Sequence, residues 1–244
     1  MPQTFFSLAF YQPVLNFVVF LARLCSDNLG IAVIIFTVLF RLLLWPFFEK
    51  SEKVQKQLAI IQPELQKIQK ESKGNQEEMT KSMMGLYKKY NISPTITLFV
   101  FAFSIFQIVA MFIFFSLFRN LVDPAQLASS ATLFYPFLKE VVLKYSLLGL
   151  NLASHSLILA VAYAVVQLIQ MKFMLKKQKV QGTANPMTNQ MSMIMMYFLP
   201  LVILAMYRNI YAIIYLYWVV FSLVSLLQDW LANRTNSRAV SKLS

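Results

Sequence analysis

The sequence is poor in the residues that most soluble chemistry requires. Among 244 residues there is one cysteine, Cys25, and one histidine, His155. A disulfide framework is excluded, and a Cys/His metal cluster has no ligands to be built from. The five glycines stand alone at Gly30, Gly74, Gly85, Gly149 and Gly182. Neither G-x-x-x-x-G-K-[ST] nor G-x-G-x-x-G can therefore be written, so the phosphate-cradling loops are missing. The expectation is a protein with no metal, no cofactor, no catalytic residue and no NTP hydrolysis of its own. Charge is scarce as well, at 13% of the chain, against about a quarter in an ordinary soluble domain.

What fills the chain instead is apolar. The hydrophobic residues make up 58% and the mean hydropathy is +0.60. A soluble interior of this size does not hide so much apolar surface, so the composition indicates an all-α polytopic membrane protein. The net charge is +12. In a membrane protein its meaning lies in where the basic residues sit.

A spanning helix needs about 20 mostly apolar residues. Residues 29–48, 94–118 and 155–171 qualify. The long run 191–231 holds two more, 191–207 and 210–231, divided by the polar break Tyr207-Arg208-Asn209. Five transmembrane helices are expected. Residues 1–28 carry Gln12, Pro13 and Asn16 in an otherwise apolar stretch. They read as an interfacial amphipathic helix on the outer face, with a sixth span as the alternative. A basic leader and an A-x-A site are both missing, so no cleaved signal peptide is expected.

Orientation follows from Lys and Arg. Residues 49–93 hold nine, the loop 172–190 four and the tail 232–244 three, sixteen in all. The opposite side holds five: Arg23, Arg119, Lys139, Lys144 and Arg208. The positive-inside rule places the sixteen in the cytosol, the C-terminus with them and the N-terminus outside. The external loop 119–154 is expected to form short interfacial helices. His155, with no Ser, Asp or Cys arranged about it, reads as a polar residue at a helix boundary. Methionines at Met171, Met174, Met187, Met191, Met193, Met195 and Met196 suit a surface that meets varied apolar segments.

Residues 49–93 are the one sizeable polar region. Val54, Leu58, Ile61, Leu65 and Ile68 recur at 4, 3, 4, 3, and Met79, Met83, Leu86 and Tyr90 at 4, 3, 4. Ser72-Lys73-Gly74-Asn75 between them is a turn sequence. The pattern predicts a cytosolic antiparallel helical hairpin meeting through Leu58, Ile61, Leu65, Met79, Met83 and Leu86. Pro63 should distort its first arm. Spacing alone is equally satisfied by a coiled-coil spacer.

Several residues do not belong in lipid. Arg41 lies inside the first span, eight residues before Glu49. That is about 12 Å at helical rise, a long reach for snorkelling. An arginine near a span centre costs roughly 2.5–3.5 kcal/mol on insertion scales, and such residues mark functional sites. The spans offer it no deep carboxylate; Asp229 stands near the end of the last one. Ser104 and Gln107, Gln167 and Gln170, and Ser222, Ser225 and Gln228 near Trp218 each recur three apart, so each set shares a helix face. Interhelical hydrogen bonding explains any one glutamine equally well. Polar faces on four of five spans favour a shared wet groove.

At this point the chain resembles the YidC/Oxa/Alb family of membrane protein insertases. Tyr11-Gln-Pro-Val-Leu-Asn16, Asn28-Leu-Gly-Ile-Ala-Val-Ile-Ile-Phe-Thr37, Arg41 and Pro46 look like its first block. Lys50-Ser51, Ile61-Gln-Pro-Glu-Leu65 and Leu86-Tyr-Lys-Lys89 look like its hairpin, and Tyr215-Leu-Tyr-Trp218 with Gln228 like its final span. The second span departs from the family: Ser93-Pro94 is kept, but Thr97-Leu-Phe-Val100 replaces Gly-Cys-Leu-Pro. Asn209-Ile-Tyr-Ala212 stands where the family has Pro-Ala-Gly-Leu.

The resemblance implies an insertase and chaperone of the bacterial plasma membrane, working without nucleotide or metal. Arg41 would attract acidic residues in a translocated tail. Gln167 and Trp218 match groove positions, and the hairpin, with Leu58, Ile61, Leu65, Met83 and Leu86, would receive substrate. The implied partners are nascent membrane proteins, the lipid bilayer, the ribosome through the basic tail, and a Sec translocon. Two other readings remain at this stage: a small channel or transporter, and a membrane tether for a cytosolic partner.

Overall fold

The computed structural model describes residues 10–71, 75–180, 198 and 200–241. It is a helical structure with one two-stranded turn. The chain divides into two compact units. One comprises Met1–Leu43, Ala110–Gln170 and Met196–Ser244, the other Leu44–Val109 and Met171–Met195.

The first unit begins with α1 (Gln12–Leu24), opened by proline at its first turn. Leu15, Val18, Val19 and Ala22 are buried, while Phe17, Phe20 and Leu24 are exposed on other faces. At helical rise its 13 residues cover about 20 Å, short of a hydrocarbon core of about 30 Å. Its polar groups hold it to the segment 123–156. Gln12 Nε2 and Asn16 Nδ2 both donate to the Leu133 carbonyl at 3.0 Å. Asn16 Oδ1 accepts from the Tyr135 N–H at 2.6 Å, and Arg23 donates to the Phe137 carbonyl.

Ser26 and Asp27 adopt left-handed φ angles of 56° and 65°, which turns the chain sharply into α2 (Leu29–Leu43). Lys144 clips this turn, donating from Nζ to the Ser26 carbonyl and from its backbone N–H to that of Asp27. Asn28 Oδ1 accepts from the Ile31 N–H at 3.1 Å, capping the new helix. Gly30 permits a close approach: a Cβ there would stand 2.6 Å from Leu152 Cδ1 and 3.1 Å from Leu147 Cβ.

The segment 123–156 contains α6 (Pro124–Ala131) and strands β1 (Ser146–Leu147) and β2 (Leu150–Asn151). It leads into α7 (Leu157–Val180). Residues 200–205 are helical (α8), and α9 spans Ala212–Ser241. The Ala212 and Ile213 N–H groups donate to the Ser154 and Leu152 carbonyls. Both α2 and α9 thus start from the same loop segment and run parallel, packed side by side. Phenyl groups fill the seam. Phe114 meets Phe36 edge-on at 5.0 Å and Phe40 at 4.8 Å, and Phe118 meets Tyr217 at 5.3 Å. Such pairs each contribute about 0.5–1.5 kcal/mol beyond their buried area.

The second unit holds α3 (Trp45–Glu71), α4 (Gln76–Lys89) and the first half of α5 (Pro94–Val122). The start of α3 grips α5 through stacked rings: Phe47 with Phe99 and Phe103 at 6.2 and 6.0 Å, and Phe48 edge-on to Phe103 at 5.2 Å. α3 is continuous through Pro63. Asn75 caps α4, its side chain accepting from the Glu77 and Glu78 N–H groups, with Lys88 and Lys89 in the last turn matching the helix dipole.

Two sequence expectations change here. The helix bearing Arg41 ends at Leu43 rather than 48, because Pro46 supplies no N–H to an unbroken helix. The 12 Å counted along one straight helix from Arg41 to Glu49 therefore does not apply across the break. Among the described residues, three helices are long and apolar enough to cross a membrane: Pro94–Val122, Leu157–Leu175 and Ala212–Leu231. The broken pair Leu29–Leu43 and Trp45–Gln55 makes a fourth if it is one span. Most of the expected span 191–207, and most of the methionine cluster, lie outside the described residues.

Candidate functional site

Arg41 sits in the last turn of α2, only 3% exposed. Thr37, one turn earlier on the same face, is fully buried and donates to the Val33 carbonyl at 2.6 Å. The guanidinium carbon of Arg41 lies 4.2 Å from the centre of the Phe221 ring on α9, within the range of a cation–π contact. Gln228 Nε2, two turns further along α9, donates to the Arg41 carbonyl at 3.3 Å. Asp229 also acts on Arg41 electrostatically. Asp229, near the end of the last span, therefore does bear on Arg41, although, read from sequence, the spans offer no deep carboxylate to offset it. Arg41 is thus buried against α9 among the described residues.

Trp218 stands one residue-turn from Phe221 on α9. Its ring packs 5.1 Å from Tyr163 and 5.8 Å from Tyr215, and 6.4 Å from Phe115. Its indole N–H is buried and has no hydrogen-bond partner among the described residues. Tyr163 is on α7, and Gln167 follows it by four residues, on the same helix face. Gln167 and Gln170 are both half-buried. The polar face of α9 turns inward, with Ser222, Ser225 and Gln228 all buried.

Ser104 and Gln107 belong to the second unit. Ser104 is exposed and donates to the Val100 carbonyl of its own helix at 2.9 Å; Gln107 is half-buried. In the hairpin, Ile61 and Leu86 are buried together with Ile92, and Leu58, Leu65, Ile68, Tyr87 and Tyr90 pack around them. Met79 and Met83 are half-buried and stand outside this cluster. The spacing missed Ile92, which follows α4 and turns inward after Asn91, a left-handed residue at φ 51°.

A polar clasp joins the same two arms. Glu64 accepts from the Tyr90 hydroxyl and, at 3.2 Å, from Lys89 Nζ. Tyr90 first, and then Lys89, hold the Glu64 carboxyl below its ordinary 4.5. The carboxylate in turn raises Lys89 and Tyr90. Heptad spacing gave no sign of this clasp. The motifs containing Glu64 and Lys89 were its only trace in the sequence.

A model of the 60Kd inner membrane protein family matches residues 20–239. Among curated proteins, the membrane protein insertase YidC of Maridesulfovibrio salexigens is 28% identical over 210 residues, covering 86% of this chain and 35% of its own. That of Geobacter sulfurreducens is 26% identical over 218 residues, 89% of this chain and 36% of its own. Membrane protein insertase YidC 2 of Listeria monocytogenes is 38% identical over 99 residues, 37% of this chain and 36% of its own. The chain thus spans about a third of the length of the curated relatives it matches. With the family model running from within α1 to within α9, over the helix that carries Arg41, the hairpin and the Trp218 face, the chain belongs to the 60Kd inner membrane protein family, the YidC/Oxa/Alb family.

Proposed function

We propose that the chain is a membrane protein insertase and chaperone. It moves short hydrophilic tails and apolar segments of nascent membrane proteins into the bilayer without nucleotide hydrolysis. The observation that carries this reading is Arg41, kept inside an apolar phenyl seam at the cost such a placement entails, in a chain of a family whose curated relatives are named insertases. Arg41 attracts acidic residues of the translocated tail. Ser104, Gln107, Gln167, Gln170 and Trp218 line the hydrophilic groove that the tail enters. The substrate's apolar segment then passes into lipid, and its burial, at about 25 cal/mol per Å², drives the step. The hairpin receives substrate at Leu58, Ile61, Leu65, Met83 and Leu86. The ribosome meets the basic tail, and a Sec translocon is a further partner.

In this reading the protein is a five-span protein of the bacterial plasma membrane, N-terminus outside and C-terminus in the cytosol. The short α1, hydrogen-bonded to the external loop, supports an interfacial rather than a spanning first helix.

The test is insertion of small, few-span membrane proteins in depleted cells complemented with Arg41 variants. Arg41→Lys should retain most activity. Arg41→Ala and Arg41→Glu should lose at least about tenfold for acidic tails, since a charge pair at 4 Å and an effective dielectric of 20 amounts to about 4 kcal/mol. Neutral tails should depend on Arg41 far less. Insertion of every substrate at wild-type levels after depletion would favour a channel or tether and end the insertase reading.

A further inference from the structure

α2 and α9 run parallel, and this fixes how Arg41 is held. A helix leaves its last four carbonyls without partners inside it. Arg41 lies in that last turn, and Pro46, just inside the next helix, adds no N–H to the break. Gln228 fills the gap from the neighbouring helix, its Nε2 donating to the Arg41 carbonyl at 3.3 Å. Helix carbonyls point towards the C-terminal end, whereas long side chains lean towards the N-terminal end. Phe221 lies seven residues before Gln228, about 10.5 Å up a parallel helix on nearly the same face. Its ring receives the guanidinium at 4.2 Å. One stripe of α9 therefore grips Arg41 at both ends, the backbone below and the charge above. The side chain is turned away from the broken end of α2, the opposite of snorkelling towards it.

We infer that Gln228 and Phe221 are positioning residues for Arg41: Gln228 caps the broken end of α2 and sets its register against α9, and Phe221 holds the guanidinium turned into the span. Neither touches substrate. Both determine where the positive charge stands when an acidic tail arrives, so the inference rests on the insertase reading given above.

Two measurements on the full chain in nanodiscs and in cells test this. The first is the NMR resonance of the Arg41 Nε–H, which a ring at this distance shifts upfield. The shift should be present in the wild type and in Phe221→Tyr. It should be lost in Phe221→Leu and reduced in Gln228→Leu. The second is insertion of paired substrates with acidic and neutral tails. Phe221→Leu and Gln228→Leu should lose acidic-tail insertion towards the Arg41→Ala level and spare neutral tails, and Phe221→Tyr should restore it. In an Arg41→Ala background neither substitution should lower it further. A wild-type resonance without the shift overturns the positioning. Equal loss for both tails, or further loss in the Arg41→Ala background, also overturns it, since the two residues would then serve bundle stability. A normal shift together with an Arg41→Ala protein that inserts acidic tails at wild-type levels overturns instead the electrostatic reading on which the inference rests.

Discussion

Glu64 shows what one side chain can add to a seam of apolar residues. Its carboxylate links α3 to Tyr90 and Lys89 at the base of α4. The pair with Lys89 is exposed, and exposed pairs contribute little to stability. Its value lies in geometry, because it fixes the register in which Ile61 meets Leu86 and Ile92. The sign of its pH dependence follows from the directions of the shifts. A carboxyl held below its ordinary 4.5 contributes stability above that value and loses it as pH falls through the lower folded one. Lys89 and Tyr90 are raised. Their part is complete below about 10 and disappears as pH rises through their folded values. The clasp is thus intact across neutral pH and opens first on the acid side. A carbon-13 titration of Glu64 in the full chain should give a midpoint below 4.5 that returns towards it in Tyr90→Phe. A wild-type midpoint at or above 4.5 would remove the clasp. Arg41 stood out in the sequence at this same scale, since an arginine in an apolar run is visible to counting. Its partner Phe221 did not stand out, since it is one apolar residue among many until α9 lies beside α2.

At the scale of elements, apolar spacing located both hairpin arms and named Leu58, Ile61, Leu65 and Leu86, all of which pack in the observed cluster. It also carried the seam on through Met79 and Met83. Spacing gives the face of a helix but not how far along that face the partner stays in contact. Among the described residues the contact concentrates at the base, where Ile92 closes it. The first span shows a related limit. Hydropathy runs unbroken through Phe48, yet the helix stops at Leu43, because one missing N–H at Pro46 outweighs several apolar side chains. The hairpin makes a graded prediction. Ile61 is fully buried, so Ile61→Ala should destabilise the hairpin by about 2–5 kcal/mol, and Ile61→Asp by more, through a buried unpaired charge. Met83→Asp, at a half-exposed position, should cost far less. Hydrogen exchange of the α3 and α4 amides in the intact protein reads both. Equal loss of protection in Ile61→Asp and Met83→Asp would show that the seam extends along the whole hairpin, as the heptads alone suggested.

At the scale of the whole molecule, contacts gather in one segment and basic charge in others. The segment 123–156 gathers α1 through Gln12, Asn16 and Arg23, and the first turns of α2 and α9 through Gly30, Leu152 and Ser154. One face of the first unit is therefore tied into a single knot of backbone hydrogen bonds and close packing. The sixteen basic residues of the hairpin, the 172–190 loop and the tail belong to other segments. The positive-inside rule assigns those segments to the cytosol and leaves the knot outside. With Cys25 replaced by serine, single cysteines at Leu24 and Leu148, which are 66% and 95% exposed, should react in intact cells with a reagent that cannot cross the membrane. Cysteines at the exposed positions Lys81 and Lys172 should react only once the membrane is opened. Leu24 alone does not separate the two placements of α1. If α1 spanned the bilayer, the N-terminus would start in the cytosol, but Leu24, at the end of α1, would still label from outside. A further cysteine at Phe10, 57% exposed, separates the two arrangements: an interfacial α1 leaves it reactive from outside or shielded by lipid, and a spanning α1 makes it reactive only from the cytosol. Labelling of Lys81 in intact cells, or of Phe10 from the cytosolic side alone, would overturn the five-span, N-out arrangement.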